Sequence, residues 1–221
     1  YSVVVGQIHS ADGHENEPLK IFYKKFPGHK KGSVFWHYEI NTKGDDNSGR
    51  WDYSTAVWGH DFSVVGNDVN SYPEEPGNGI AFDEEFSYEI VVRNGMMSLT
   101  FKSEGHETKT FTKNLVESEY TTTADIPQQT KDLFVPIGQD GVERENAYSE
   151  EGLFFKLGSY NQTNGKSPSV NRNWCSGAET HGGDLQKQYS DGNYAEVWFK
   201  IESIYVSDDS VSNEGYFTKN D

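Results

Sequence analysis

Apolar and polar residues alternate along most of the chain, in short runs divided by turn residues. A period of two with Val, Ile, Tyr and Phe at the apolar positions predicts β-strands. The candidates are 2–9 (SVVVGQIH), 19–25 (LKIFYKK), 33–41 (SVFWHYEIN), 86–93 (FSYEIVVR), 97–102 (MSLTFK), 108–113 (TKTFTK), 153–161 (LFFKLGSYN) and 194–206 (YAEVWFKIESIYV). Asn94-Gly95, between two of these runs, predicts a tight hairpin. Only 114–119 and 128–133 suit helices, and both are short. No period of 20–50 residues repeats, which argues against a propeller or solenoid. Many strands with little helix predict an all-β fold, a β-jelly roll or β-sandwich. Residues 1–207 read as a single domain and 208–221 as a polar tail. Three segments rich in Gly, Asn, Asp and Ser, 42–85, 114–152 and 163–193, read as long loops of the kind that wall or cover a site.

Composition sharpens this picture. Aromatic residues make up 14% of the 221 residues, so large rings must supply much of the core and part of any groove. The net charge of -16 argues against a nucleic-acid partner, which needs a basic stripe, and against docking on anionic lipid. It does not exclude a local basic cleft for an anionic substrate. The single cysteine, Cys175, forbids an internal disulfide and a multi-cysteine zinc site. No stretch approaches the roughly 20 apolar residues of a membrane span. Asp45-Asp46-Asn47 with Gly49 lacks EF-hand spacing and reads as a polar turn, so neither a metal nor another cofactor is expected.

Two strands carry candidate chemistry. In the first, Gln7 and His9 are two apart and share a face. In LFFKLGSYNQ, residues 153–162, alternation puts Phe154, Lys156, Gly158, Tyr160 and Gln162 on one face. Gly158 clears space between Lys156 and Tyr160, as it would where a ligand nears the backbone. Each face alone fits a solvated sheet surface equally well. Together, on one concave sheet, they would gather an amide, an imidazole, an ammonium and a phenol without a carboxylate. That set suits proton transfer beside an anionic group and lacks the carboxylate pair of most glycosidases. His37 faces opposite to Trp36 and Tyr38, and Lys20 lies near the first strand, so both are further candidates for substrate contact.

These residues carry a family resemblance. GQIH (6–9) with FFKLGSYNQ (154–162) resembles the paired signature of alginate lyases of polysaccharide lyase family seven, Q-[IV]-H and Y-F-K-x-G-x-Y-x-Q. Phe154 stands where Tyr is usual. EPLKIFYKKFPGHKKGSVFWHYEI (17–40) is similar to a branch that includes exolytic members, and AEVWFKIESIYVSD resembles the family's last strand. The resemblance implies a jelly roll with alginate lying along a concave sheet, and cleavage by β-elimination. It implies catalytic roles for Gln7, His9 and Tyr160 and substrate contacts from Lys156 and Gln162. Gln7 and His9 would neutralise the uronate carboxylate, and Tyr160 would protonate the leaving oxygen. The base, His9 or Tyr160, is left open. A phenol at its reference pKa of about 10 is a poor base at neutral pH, and a cation such as Lys156 on the same face would help it.

The family also has an R-x-E-x-R strand ahead of Q-I-H. The chain's four arginines, Arg50, Arg93, Arg144 and Arg172, do not form it. The expectation is that a separate N-terminal chain of the same protein supplies that strand. The long insertions between His9 and Tyr160 predict a cleft walled at one end and cleavage from a chain end. A secreted or periplasmic location is expected. The competing reading is a non-catalytic carbohydrate-binding jelly roll, which the joint presence of His9 and Tyr160 disfavours.

Overall fold

Apolar side chains at every second position can leave water only if two sheets close on each other. The computed structural model describes residues 2–10, 17–26, 28–41, 50–62, 73–93, 96–114, 153–161 and 195–206. Its strands are β1 (Ser2–Ser10), β2 (Leu19–Lys24), β3 (Lys31–Asn41), β4 (Arg50–Trp58), β5 (Ile80–Ala81), β6 (Phe86–Arg93), β7 (Met96–Ser103), β8 (Lys109–Asn114) and β9 (Leu153–Asn161). The larger sheet runs β4-β3-β2-β1-β9, with the short β5 paired to β3, and the smaller runs β6-β7-β8. All pairings are antiparallel. The fold is the all-β jelly-roll sandwich that the alternation predicts.

The core lies between the sheets. Ile8, Leu19, Ile21, Val34, Trp36, Tyr38 and Val57 point inward from the larger sheet to meet Met97, Leu99 and Phe101 of β7. Along β7, Met96 is exposed while Met97, Leu99 and Phe101 are buried, the signature of one wetted face. The predicted hairpin is present, since β6 and β7 pair from Arg93↔Met96 outward.

Two expectations fail. Residues 42–85 are not one loop, because they contain β4 and β5. In β4 the alternating positions include Ser54, Thr55 and Ala56, too weak a contrast to stand out from the Gly- and Asp-rich residues before them. The closing run 194–206 is not a strand in its described part. Residues 195–200 keep the alternation, with Ala195 and Val197 packed on the core, but they make no ladder, and Ile201–Ser203 closes into a 3-10 turn. Side-chain burial sets the period, while a strand also needs a neighbour with free backbone groups. The helical candidate 128–133, nearly all of 114–119, and the tail 208–221 lie outside the described residues.

Candidate active site

Directly opposed residues of antiparallel neighbours point to the same face, so the register shows what shares the outer face of the larger sheet. Lys156 of β9 opposes Gln7 of β1. Gln7 opposes Lys20 of β2. Lys20 opposes His37 of β3, and His37 opposes Ser54 of β4. The result is one polar row, Lys156-Gln7-Lys20-His37-Ser54, crossing five strands on the face away from the core. On one side of it, His9 opposes Phe154, their rings 5.2 Å apart. On the other side lies a second row, Tyr160-Val4-Phe22-Phe35-Ala56. The structure therefore brings Gln7, His9, Lys156, Tyr160, Lys20 and His37 onto one face. Gln162 lies outside the described residues.

A bulge in β1 makes this possible. Val3 and Val5 both face the core, so strict alternation would send Gln7 and His9 inward as well. The register instead shifts between Val4 and Gly6 against both neighbours. Val5 and Gly6 together occupy one inward position, and Gln7 and His9 come out on the cleft face.

The row is not uniformly open. Lys20 is buried, with its ammonium 2.8 Å from Glu39 Oε2 and 2.9 Å from Glu17 Oε2. Burial opposes that charge, yet the two carboxylates outweigh it and hold the Lys20 pKa above the ordinary lysine value. Gln7 is only 7% exposed, and its buried Oε1 accepts no hydrogen bond among the described residues. His37 Nε2 lies 2.5 Å from Ser54 Oγ, and its ring rests against Phe22 and Phe35. Tyr160 is 54% exposed. At Gly158, on the same face between Lys156 and Tyr160, an added Cβ would meet no atom of the described residues within 4 Å.

Part of the outer face is covered. Phe22 and Phe35 stack with ring centroids 4.9 Å apart, and Phe62 sits edge-on against Phe35 at 5.1 Å. Lys24 Nζ lies 4.7 Å from the centre of the Phe62 ring. Gly59, at a φ of 93°, makes the turn that carries the chain from β4 to Phe62.

Sequence reading missed Glu39, Glu17 and Ser54. Glu39 had a signal, since alternation along β3 puts it on the face of His37. Ser54 had none, because its strand was not predicted.

The described residues thus form a jelly-roll sandwich with ionisable and amide groups gathered on one sheet face. The chain belongs to the alginate lyase family, which matches residues 1–205. An alginate lyase of Klebsiella pneumoniae is 29% identical over 168 residues, covering 75% of this chain and 43% of that protein. The crystal structure of the exolytic PL7 alginate lyase AlyA5 from Zobellia galactanivorans superposes with a TM-score of 0.71 at 69% identity. It covers 89% of this chain and 62% of that one. The chain thus spans between two fifths and two thirds of the length of these relatives.

Proposed function

We propose that the chain is the catalytic sandwich of an alginate lyase, cleaving 1,4 linkages by β-elimination. The observation that carries this is the cleft face itself, where Gln7 opposes Lys156 and which also bears His9 and Tyr160. In the reaction a base removes the C5 proton. The C5–H electrons form the C4=C5 double bond, the C4–O bond breaks, and the leaving oxygen takes a proton. Negative charge builds on the uronate carboxylate as C5 gives up its proton. Gln7 and His9 are assigned to that carboxylate, where donors count most because charge develops there. Tyr160 is assigned to the leaving oxygen, and Lys156 and Gln162 to substrate contact. His9 and Tyr160 both have the chemistry of the base. Lys20 and His37 extend the contact surface along the row.

The finer reading is exolytic action. Phe62 against Phe35 covers part of the face, and the Zobellia galactanivorans relative is described as exolytic. The arginine strand of the family signature would be supplied by a separate N-terminal segment. An extracytoplasmic location suits a polymeric substrate, and fractionation of producing cells checks it.

The test is ultraviolet absorbance during incubation with alginate, for the wild type and Tyr160→Phe. The expected result is a steady rise from the unsaturated product, reduced at least about a hundredfold in the variant. Equal traces would remove Tyr160 from the chemistry, and a wild-type trace that stays flat when the segment bearing the arginine strand is supplied would overturn the lyase reading. Long oligomers dominating the early products would overturn the exolytic one.

A further inference from the structure

The β1 bulge carries the site, so what holds the bulge matters. Val5 has no ladder partner in β2 or in β9. A bulged residue leaves backbone groups that need another partner. The Val5 carbonyl finds one across the sandwich, where the Tyr88 hydroxyl of β6 donates to it at 3.2 Å. The neighbouring position is built around the same ring. A Cβ on Gly6 would lie 2.2 Å from Tyr88 Oη and 2.8 Å from Cζ. No side chain fits there while Tyr88 keeps its place.

Resting on the lyase reading above, we infer that Tyr88 is a positioning residue for catalysis. From the opposite sheet, it pins the Val5–Gly6 bulge and so fixes Gln7 and His9 on the cleft face. The bulge decides whether two site residues face substrate or core, since a slip of one position reverses every side chain beyond it. Tyr88 and Gly6 act as one unit, the hydroxyl filling the space that glycine leaves and satisfying the carbonyl that the bulge frees. Burial pushes the Tyr88 phenol up to about 12, so it remains a donor through neutral and moderately alkaline pH.

The experiment uses the full chain carrying Tyr88→Phe, Gly6→Ala, Tyr88→Leu and the Gly6→Ala/Tyr88→Leu pair. Steady-state kinetics on alginate and backbone amide exchange are read in each. Tyr88→Phe should lower kcat about tenfold, the scale of one lost buried hydrogen bond, with a much smaller change in KM. Amides of Val5 to Ile8 should exchange faster, while those of β7 exchange as in the wild type. Gly6→Ala alone should be more damaging than Tyr88→Phe. Removing the ring it collides with should bring the pair back to the level of Tyr88→Leu alone, a non-additive outcome. Wild-type kcat in Tyr88→Phe, additive losses in the pair, or exchange rising evenly through both sheets would each overturn the inference. If the wild type forms no product from alginate even with the segment bearing the arginine strand supplied, the lyase reading fails instead. The local or even exchange pattern then decides the role of Tyr88 by itself.

Discussion

The Lys20 ammonium lies 2.8 Å from Glu39 Oε2; both side chains are almost wholly buried, and Lys20 stands beside Gln7 in the cleft row. Removing one partner of such a pair strands the other charge away from water, which costs about 3–5 kcal/mol. Lys20→Met should therefore destabilise the chain by about 3 kcal/mol or more in chemical denaturation, and Lys20→Met with Glu39→Leu should recover most of that. A single-variant loss below about 1 kcal/mol would show that the pair is effectively solvated. The double variant also tests substrate contact. If Lys20 touches alginate, KM stays raised after stability has returned.

Gln7 presents the opposite case. Its Oε1 is buried and accepts no hydrogen bond among the described residues, a cost that a stability-optimised fold would not carry. Replacing a buried unsatisfied amide by an apolar side chain of similar size should stabilise the protein by about 1–2 kcal/mol. Gln7→Leu is therefore expected to raise the melting temperature and to abolish product formation. A variant that is less stable and equally active would mean that Gln7 is a structural residue.

The strands around this site were legible because apolar and polar residues alternate along each. The runs 86–93 and 153–161 match β6 and β9 end to end, and alternation paired Gln7 with His9 and Lys156 with Tyr160, while the bulge in β1 set which face the first pair takes. What stayed hidden depends on partners distant in sequence. The bulge needs Tyr88, 83 residues away, to be seen as more than a glycine in a strand. Lys20 reads as a free cation until Glu39, 19 residues on, is folded beside it. Residues 195–200 alternate like a strand, yet join no ladder among the described residues. Periodicity reports burial and cannot report pairing.

Gly158 gives a test of where substrate lies. It sits on the cleft face between Lys156 and Tyr160, and an added Cβ meets no atom of the described residues within 4 Å. Glycine in a strand interior costs roughly 0.5–1 kcal/mol, so Gly158→Val should leave stability unchanged or improved by about that much. If a sugar ring occupies the gap, the same change should raise KM or lower kcat by about tenfold or more. A fully active Gly158→Val would place the substrate elsewhere on the face.

Stability at high pH follows from three groups, Lys20 buried and Tyr23 and Tyr88 partly buried, that all titrate in the same direction. Burial raises Tyr23 to about 12, against a counteracting backbone hydrogen bond, and burial raises Tyr88 to about 12. Lys20 is also held above its ordinary value. Each group binds its proton more tightly folded than unfolded. The stability this contributes is complete below the unfolded values near 10 and is lost as pH rises through the folded ones. Melting temperature should therefore hold from neutral pH to about 10 and fall steeply between about 10 and 12. Tyr23 also donates to the Ile80 carbonyl at 3.1 Å, so Tyr23→Phe should lower stability at neutral pH while flattening the alkaline fall. A Tyr23→Phe curve parallel to that of the wild type across this range would show that this phenol does not couple folding to pH.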